Sequence, residues 1–349
     1  MRFLQVREKE LPDAALLTAV EAAAAEARRH AGQLLVNDRA DVARMAGVGV
    51  HLGEEDLPPA DARALLPGGA LIGVSTHDLE AARGAFAEPA ADYVAFGPVF
   101  ASATKRGRVP KGLAELARVA ALKTKPLVAI GGISAETLDA VFEAGADSAA
   151  MVGGLLSGGR IEENVRRALD RVRRRTLSGR IYLVGFMGCG KTAVGERIAE
   201  RLGIPFVDLD AEIERTSGVT IRALFESSGE AAFREREALF LQGTESLPRA
   251  VVATGGGCST REENREHLRR LGTPVFLDVP FEAIRARLAG KTDRPLFQSL
   301  EQAAELYSRR LPLYKIGSVR VELSGREEVE ETADRVLNAL SDARELGVP

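Results

Sequence analysis

An apolar run at residues 181–184 leads directly into the glycine-rich sequence GFMGCGKT at residues 185–192. This sequence fits the pattern G-x-x-x-x-G-K-[ST], in which a strand enters a tight turn and a helix leaves it. The backbone N–H groups of such a turn face phosphate oxygens, Lys191 reaches the β- and γ-phosphates, and the Thr192 hydroxyl binds Mg²⁺. The positive N-terminus of the next helix, at residues 193–202, adds to the anion site. We therefore predict a nucleoside triphosphate site in an α/β domain rather than a plain glycine-rich turn.

The length and charge of the chain limit the other functions to consider. Its 349 residues are enough for two domains, and its formal net charge of −3 gives no general attraction to nucleic acid or anionic membrane. No apolar run approaches the roughly 20 residues that cross a bilayer, and no basic start precedes an apolar core. We expect a cytoplasmic protein with small-molecule substrates and without nucleic-acid or membrane partners; the oligomeric state is not predicted.

The two cysteines, Cys189 and Cys258, cannot form a disulfide framework, and their spacing fits no zinc pattern. The four histidines include no H-x-x-x-H pair, which argues against a histidine metal cluster.

A domain boundary is expected near residue 178. Residues 160–175 form an amphipathic stretch that ends in three arginines, and residues 176–179 read TLSG and break the pattern. The arginines could contact nucleic acid, but a solvated helix end, favoured by the negative C-terminal dipole, is the preferred interpretation.

Upstream of this boundary, apolar runs alternate with helical segments, which is typical of parallel βα units. The runs are residues 3–6, 34–36, 48–52, 71–74, 93–96, 127–130 and 149–152. Polar residues follow the runs, as at the C-terminal mouth of a (β/α)₈ barrel. Since only seven runs are present, we predict a TIM-type barrel that lacks its first strand, or a true start that lies upstream.

Downstream of the boundary, apolar runs again alternate with helical segments. They are residues 181–184, 206–207, 250–253, 275–277 and 319–321. This pattern predicts a three-layer α/β/α domain with the phosphate loop after its first strand.

Candidate groups for a phosphoryl acceptor lie in this second half. Residues 206–210 read FVDLD, and a strand there would place Asp208 and Asp210 on one face, where one supports Mg²⁺ and the other accepts a hydroxyl proton. Two solvated carboxylates are the alternative. The glycines at 255–257 would let the backbone approach a small ligand, and Arg234 and Arg310 could each bind a carboxylate, although each taken singly reads as a surface arginine.

Residues 180–345 resemble shikimate kinases. The resemblance rests on GFMGCGKT, on DLD within FVDLDAEIE, on FRE at 233–235, on the triple glycine, on TDRPL at 292–296 and on RRLPLY at 309–314. It implies transfer of the γ-phosphoryl group of ATP to the 3-hydroxyl of shikimate.

The resemblance also implies residue roles. Asp210, Lys191 and Arg294 would be catalytic, and Thr192 and Asp208 would hold Mg²⁺. The implied ATP-binding residues are Gly188, Cys189, Gly190, Lys191, Thr192, Ala193, Arg287 and Arg294. The implied shikimate-binding residues are Asp210, Arg234, Gly255, Gly256, Gly257 and Arg310.

Two other readings of this half stay open on the residues alone. Asp278 ends an apolar run and is a second candidate metal ligand, although the resemblance favours Asp208. The sequence GKTD at 290–293 is partly similar to a guanine-binding N-K-x-D but lacks the asparagine, so ATP is preferred. A nucleotide switch or ATPase without a small acceptor is a different class of function.

In the first half, charged residues follow the apolar runs. Asp38 and Asp56 could converge on Mg²⁺, and Arg7, Lys9 and Lys105 could receive a pyrophosphate, although a charged rim is also what solvent requires. Residues 3–158 resemble thiamine phosphate synthases through QVREK, VNDR, HLGEEDLPP, GVSTHD, GPVF and VAIGGI.

This resemblance implies that pyrophosphate leaves a hydroxymethylpyrimidine diphosphate and that the nitrogen of a thiazole phosphate captures the resulting cation. Asp38 and Asp56 would bind Mg²⁺. The residues implied to bind the two substrates are Gln5, Arg7, Lys9, Asn37, Ser75, Thr104, Lys105 and Gly132.

The first half departs from that family at several positions. Glu54 replaces a glutamine, residues 102–104 read SAT instead of TPT, and residues 153–154 are glycines where a phosphate-binding serine is usual. Two alternatives therefore stand beside a synthase: a thiazole tautomerase, which would share a residue like His77, and a barrel with only a structural or regulatory role. The predicted domains are a barrel at 1–158, its terminal helix and linker at 159–179, and a kinase at 180–349.

Overall fold

The computed structural model describes residues 3–101, 109–177, 179–288 and 300–345. The chain divides into two compact units, Met1–Val172 and Arg173–Pro349. Among the described residues, no helix is long and apolar enough to cross a membrane.

The first unit is built on seven parallel strands. They are β1 (Phe3–Val6), β2 (Gln33–Asn37), β3 (Gly49–Leu52), β4 (Ile72–Thr76), β5 (Tyr93–Phe96), β6 (Leu127–Ile130) and β7 (Ser148–Ala150). Their order in the sheet follows the chain from β1 at one edge to β7 at the other. The α/β class and the seven strands predicted from the sequence are confirmed.

Helices connect the strands of this unit. They are α1 (Asp13–Arg29), α2 (Ala40–Ala46), α3 (Pro59–Leu65), α4 (Leu79–Ala87), α5 (Gly112–Ala120), α6 (Leu138–Glu143), α7 (Gly153–Leu156) and α8 (Ile161–Thr176), whose residues from Arg173 on belong to the second unit. Val94, Ala95 and Phe96 in β5 are fully buried, as expected for a parallel strand covered on both faces. The edge strand β1 differs: Phe3 is 55% exposed and Leu4 is 46% exposed.

The second unit contains a parallel sheet of five strands. They are β8 (Arg180–Val184), β9 (Phe206–Asp208), β10 (Ala250–Ala253), β11 (Gly272–Asp278) and β12 (Val319–Glu322), in the order β12-β11-β8-β10-β9. Tyr182, Leu183 and Val184 of the central strand β8 are completely buried. Ligands bind at the carboxyl ends of such strands, and the phosphate loop leaves β8 at that edge.

Helices of this unit alternate with its strands. They are α9 (Lys191–Leu202), α10 (Leu209–Ser217), α11 (Ile221–Gly243), α12 (Glu262–Leu271), α13 (Phe281–Leu288), α14 (Leu300–Tyr314) and α15 (Val329–Glu345). The P-loop kinase fold predicted for this half is confirmed.

Two local predictions were wrong. The strand β9 ends at Asp208, and Asp210 lies in the first turn of α10, so the two carboxylates do not share a strand face. The helix begins there because the Asp208 carboxylate accepts hydrogen bonds from the N–H groups of Asp210 and Ala211. The arginine run that ends α8 is not simply solvated: Arg173 is only 5% exposed, and Arg174 donates a hydrogen bond to the carbonyl of Arg201.

Candidate active sites

In the glycine-rich loop after β8, the side chain of Lys191 folds back onto the backbone of the loop. Lys191 Nζ donates to the carbonyl oxygens of Gly185 at 2.9 Å and Phe186 at 3.0 Å. Gly190 has a φ of 103°, a left-handed conformation that favours glycine, and α9 begins at the next residue. The loop therefore has its turn and its cation in place at the N-terminus of a helix of 12 residues.

A hydroxyl and a carboxylate meet beside this loop. Thr192 Oγ1 donates to Asp208 Oδ2 at 2.7 Å, while Asp208 Oδ1 caps α10. The competing carboxylate, Asp278, is bound instead to Arg320, whose Nε lies 2.6 Å from Asp278 Oδ2. The structure thus brings Asp208, and not Asp278, to the hydroxyl that follows the loop lysine.

Two of the three glycines after β10, Gly255 and Gly257, leave no room for side chains. A Cβ at Gly255 would lie 2.7 Å from Asp210 Oδ1 and 2.5 Å from Glu237 Oε1. A Cβ at Gly257 would lie 2.5 Å from the guanidinium carbon of Arg234. The glycines therefore allow a carboxylate and a guanidinium to lie against the backbone of the turn.

Arg234 is held by two carboxylates of its own helix. Its guanidinium lies 2.8 Å from Glu237 Oε2 and 3.1 Å from Glu230 Oε1. Burial works against its charge, but the two glutamates outweigh burial and raise the pKa of Arg234. Burial raises the pKa of Glu237, which has no exposed surface, and Arg234 opposes that rise. The pair fixes one cation at the wall of the pocket.

A second buried cation faces the same turn. Arg310 NH1 donates to the carbonyl oxygen of Gly256 at 3.1 Å, and the Tyr314 hydroxyl donates to the same oxygen at 2.5 Å. Burial is the main cause that lowers the pKa of Arg310, and the Tyr314 hydroxyl opposes it. Two guanidinium groups against one glycine turn suit a small anionic ligand.

One cavity of about 1130 Å³ joins these groups. Its lining includes the loop residues Gly188–Thr192, the carboxylates Asp208 and Asp210, the cations Arg234, Arg287 and Arg310, and the turn Gly255–Gly257. The candidate phosphate-binding and acceptor-binding groups therefore line the same cavity.

In the first unit, charged residues gather after β1, β2 and β3. Lys9 Nζ lies 3.1 Å from Asp38 Oδ2, and Asp38 has a φ of 66°, unusual for a residue with a side chain. Burial would raise the pKa of Asp38, but Lys9, Asp56 and Arg7 lower it. Burial raises the pKa of Asp56, the N–H of Gly53 opposes this, and the Asp38 charge adds to the rise. The two carboxylates are close enough to affect each other.

A buried polar chain crosses the barrel sheet. His51 in β3 makes hydrogen bonds of 2.8 Å to Ser75 Oγ in β4 and of 2.8 Å to the Tyr93 hydroxyl in β5. Residue 73 must be glycine, because a Cβ there would overlap the Tyr93 ring. Three neighbouring strands thus bring polar side chains together inside the sheet.

Two family models match the two halves of the chain. One, described as thiamine monophosphate synthase, matches residues 1–155, and the other, described as shikimate kinase, matches residues 187–341. The shikimate kinase of Ruegeria pomeroyi is 36% identical over 190 residues, which cover 54% of this chain and 97% of that protein. The chain belongs to the shikimate kinase family.

Solved structures resemble each half. A shikimate kinase from Acinetobacter baumannii in complex with shikimate is 37% identical, with a TM-score of 0.46, and the match covers 50% of this chain and 98% of that chain. A thiamine phosphate pyrophosphorylase from Pyrococcus furiosus is 27% identical, with a TM-score of 0.46, and the match covers 50% of this chain and 84% of that one. The family models and not these structures assign the two halves: residues 187–341 match the shikimate kinase model and residues 1–155 match the thiamine monophosphate synthase model.

Most of the predicted site residues of the kinase half lie together. All of the described ATP- and shikimate-binding candidates line the one cavity, whereas Arg294 and the GKTD sequence lie outside the described residues. Arg287 does not face the cavity as a free cation; it donates to the carbonyl oxygens of Gly188 at 3.2 Å and Gly325 at 2.7 Å.

The barrel candidates are placed less uniformly. Gln5 lies on the exposed edge strand, Asn37 ends β2, and Gly132 follows β6 with a φ of 66°. Thr104 and Lys105 lie outside the described residues. His77, the tautomerase candidate, is 2.5 Å from the carbonyl oxygen of Gly97 through Nδ1.

The sequence prediction missed several residues. Glu237 and Tyr314 support the acceptor pocket, and His51 and Tyr93 form the barrel's polar chain. Glu237 was detectable as the carboxylate three residues after Arg234, one helical turn away. Tyr314 was detectable in the same way, because it lies four residues after Arg310 in the same helix. His51 and Tyr93 depend on contacts between distant segments, so no local pattern marks them.

Proposed function

We propose that residues 180–349 phosphorylate the 3-hydroxyl of shikimate with ATP. The observation that supports this most strongly is the single cavity in which the glycine-rich loop faces Asp210, Arg234, Arg310 and the turn Gly255–Gly257. A loop alone would suit any nucleotide hydrolase, whereas two buried guanidinium groups against a glycine turn provide for a small carboxylate acceptor.

The chemistry assigned to the residues follows from their positions. Arg234 and Arg310 hold the acceptor's carboxylate and orient its hydroxyl toward the loop. Its oxygen forms a bond to the γ-phosphorus as the bond to the β,γ-bridging oxygen breaks, the hydroxyl proton passes to the Asp210 carboxylate, and ADP leaves. Lys191 exchanges its two carbonyl partners for phosphate oxygens. Arg294 is proposed from the sequence alone to neutralise the transferring group.

The residues present suit Mg²⁺ as the accompanying cation. Among the described residues no group of three or more His, Cys, Asp or Glu side chains is gathered for a metal. Mg²⁺ does not need one, because it keeps several waters and takes only one or two protein oxygens beside the phosphates. Thr192 and Asp208, already 2.7 Å apart, would hold the ion, which would offset phosphate charge when bound.

The kinase assignment is tested with the purified full chain in an assay of ADP release. We expect Lys191→Ala to abolish shikimate-dependent ADP release and Asp210→Asn to lower it by about a hundredfold or more, since a positioned base contributes that much. Glu212→Gln is the matched control: this carboxylate lies on the same helix, is 38% exposed and pairs only with Arg215 among the described contacts. Equal ADP release with and without shikimate would instead identify an ATPase.

For residues 1–158 we propose a thiamine phosphate synthase reaction. Its support is the contact between Lys9 and Asp38, with Asp56 close by, at the carboxyl ends of β1 to β3. The two carboxylates would hold Mg²⁺ on the leaving pyrophosphate, with Lys9 and Arg7 as further cations. In this reaction the bond between the pyrimidine methylene carbon and the diphosphate oxygen breaks, and the thiazole nitrogen forms a bond to that carbon. Residues 159–179 are proposed as the terminal helix and linker.

The barrel assignment is tested by supplying the pyrimidine diphosphate and thiazole phosphate and measuring thiamine phosphate and pyrophosphate. We expect both products from the wild type and about a hundredfold less from Asp38→Asn, which keeps the residue's size and tolerates its left-handed backbone. Asp41→Asn is the control, because Asp41 is 62% exposed and pairs with Arg39. Absence of product from the wild type would favour the structural or regulatory role, and isomerised thiazole alone would favour the tautomerase.

A further inference from the structure

A buried tyrosine shares one carbonyl oxygen with a cation of the acceptor pocket. Arg310 NH1 and the Tyr314 hydroxyl both donate to the carbonyl oxygen of Gly256, at 3.1 Å and 2.5 Å. The two side chains lie four residues apart in α14, so they leave the helix on the same face. A carbonyl oxygen has two lone pairs and can accept both hydrogen bonds. The bond from the tyrosine is the shorter of the two.

The position of Tyr314 does not depend on Arg310. Its side chain is only 1% exposed, and its ring stacks on Phe276 of β11 with the ring centres 5.3 Å apart and the planes inclined by 28°. Burial raises the pKa of Tyr314, and the charge of Arg310 opposes that rise without cancelling it. The hydroxyl therefore keeps its proton and remains a hydrogen-bond donor at the pH at which an enzyme works.

The glycine that accepts both bonds also contacts the phosphate loop. A Cβ at Gly256 would lie 3.1 Å from the backbone nitrogen of Met187 and 3.6 Å from its Cβ. This spacing leaves little room for the Gly256 peptide to shift toward the loop. Since the carbonyl oxygen cannot readily move to another donor, it depends on the two side chains of α14.

A carboxylate that binds in this pocket competes with Gly256 for Arg310. Hydrogen bonds between a guanidinium and a carboxylate are roughly twice as strong as bonds between neutral groups, so the longer bond from Arg310 to Gly256 is the one that is given up. A buried carbonyl group left without a donor would weaken binding of the acceptor.

We propose that Tyr314 is a positioning residue for the phosphoryl acceptor: its hydroxyl keeps the Gly256 carbonyl hydrogen-bonded while Arg310 turns to the acceptor's carboxylate. The inference rests on the proposed kinase function, but it concerns a residue that acts through Arg310 and not on the substrate itself.

The first test is steady-state kinetics of the full chain with Tyr314→Phe, which keeps the stacked ring and removes only the hydroxyl. In the free protein Gly256 still accepts from Arg310, so the loss should arise when shikimate binds. We expect the KM for shikimate to rise about tenfold, as for a buried carbonyl left without a donor. The value of kcat and the KM for ATP should stay within about twofold of the wild type, and calorimetric ADP binding within about twofold confirms that the variant is folded.

The matched control is Tyr307→Phe. Tyr307 lies in the same helix, and its hydroxyl also donates to a backbone carbonyl oxygen, that of Val279 at 3.0 Å. We expect all three kinetic values of this variant to stay within about twofold of the wild type, because its hydroxyl has no part in holding Gly256.

A second measurement separates positioning from a merely structural role. The carboxamide of shikimate keeps the ring and hydroxyls but cannot accept both arms of a guanidinium, so Arg310 keeps its bond to Gly256. Tyr314→Phe should then lower kcat/KM for the carboxamide by less than about twofold, against about tenfold for shikimate. Equal losses for both substrates, or a KM for shikimate equal to that of Tyr307→Phe, would overturn the positioning role. Failure of the kinase function would look different, because the wild type itself would show no shikimate-dependent ADP release, and the inference would fall with it.

Discussion

At the scale of single residues, the proposed acceptor pocket needs glycine because a side chain would not fit, and not because the backbone adopts a conformation that only glycine allows. Gly257 has a φ of −110°, which any residue can adopt, yet a Cβ there would meet the Arg234 guanidinium. The constraint at this position is therefore steric and not conformational. A side chain would move a cation that is buried and paired with Glu237.

Gly257→Ala is predicted to raise the KM for shikimate by about tenfold or more. The added Cβ would displace the Arg234 guanidinium, which would then lose a charge-assisted hydrogen bond to the substrate. The KM for ATP should stay within about twofold. Steady-state kinetics with each substrate varied measures both values. Gly243→Ala is the matched control, since its Cβ has no neighbour within 4 Å and its φ is −56°. A KM for shikimate equal to that of the wild type would contradict the steric account.

The sequence predicted Arg234 and Arg310 as candidate binding residues, but it did not predict that they are buried. Each lies in a charged or polar stretch where a surface arginine is the ordinary expectation, yet they are only 8% and 7% exposed. Their burial is tolerated because Glu237, Glu230 and the Gly256 carbonyl are brought to them by the fold. Glu237 and Glu230 share the helix of Arg234, but the glycine turn comes from a strand in the middle of the sheet.

At the scale of elements, Asp208 connects the end of a strand, the start of a helix and the phosphate loop. One carboxylate oxygen caps α10, and the other accepts the Thr192 hydroxyl. Its neighbour Asp210 reaches the acceptor pocket from the first turn of that helix. The sequence predicted the two carboxylates as a functional pair, but from a strand geometry that is wrong. The strand ends at Asp208 and a helix begins at Leu209, and this geometry still groups the two carboxylates.

Asp208→Asn is predicted to separate these roles. Asparagine remains a good helix cap, so the free energy of unfolding should change by less than about 1 kcal/mol. Loss of the negative charge should raise the Mg²⁺ concentration needed for half-maximal kinase activity by about tenfold, by analogy with the loss of one hydrogen bond to a charge. Denaturant unfolding and a Mg²⁺ titration measure the two effects.

The control for that prediction is Asp78→Ala, which removes an acidic cap whose Oδ1 accepts the N–H of Ala81 at 2.8 Å in α4 of the first unit. It should cost about 1 kcal/mol of stability and leave the Mg²⁺ requirement of the kinase unchanged. An Asp208→Asn enzyme with a wild-type Mg²⁺ requirement would place the metal ligand elsewhere.

At the scale of the whole molecule, each unit has its own sheet, its own apolar core and its own candidate site. The core of the second unit surrounds Tyr182 and Phe276, and the first unit has two clusters, one around Val50 and one around Phe96. Lys191→Ala should therefore leave any thiamine phosphate formation at the wild-type rate, and Asp38→Asn should leave the kinase at its wild-type rate. Coupled losses would contradict separate sites.

The architecture of both halves was predictable because buried parallel strands appear in the sequence as continuous apolar runs, which can be recognised without the structure. The bounds of β5, β6 and β10 agree with the predicted runs to the residue. What could not be predicted is the polar interior of the first unit, where His51, Ser75 and Tyr93 come from three separate strands. Hydrogen bonds between residues 24 and 42 positions apart leave no periodic trace in the chain.

The folded-back lysine of the glycine-rich loop has a consequence for the thermodynamics of nucleotide binding. Lys191 is 9% exposed, so its ammonium has already given up most of its water and is solvated by two carbonyl oxygens of its own loop. A phosphate that binds here therefore replaces carbonyl oxygens, and not water, around the ammonium group. The free-energy cost of removing water from that ammonium is met when the protein folds. The free energy of nucleotide binding therefore includes, for Lys191, only the difference between its interactions with phosphate oxygens and with carbonyl oxygens.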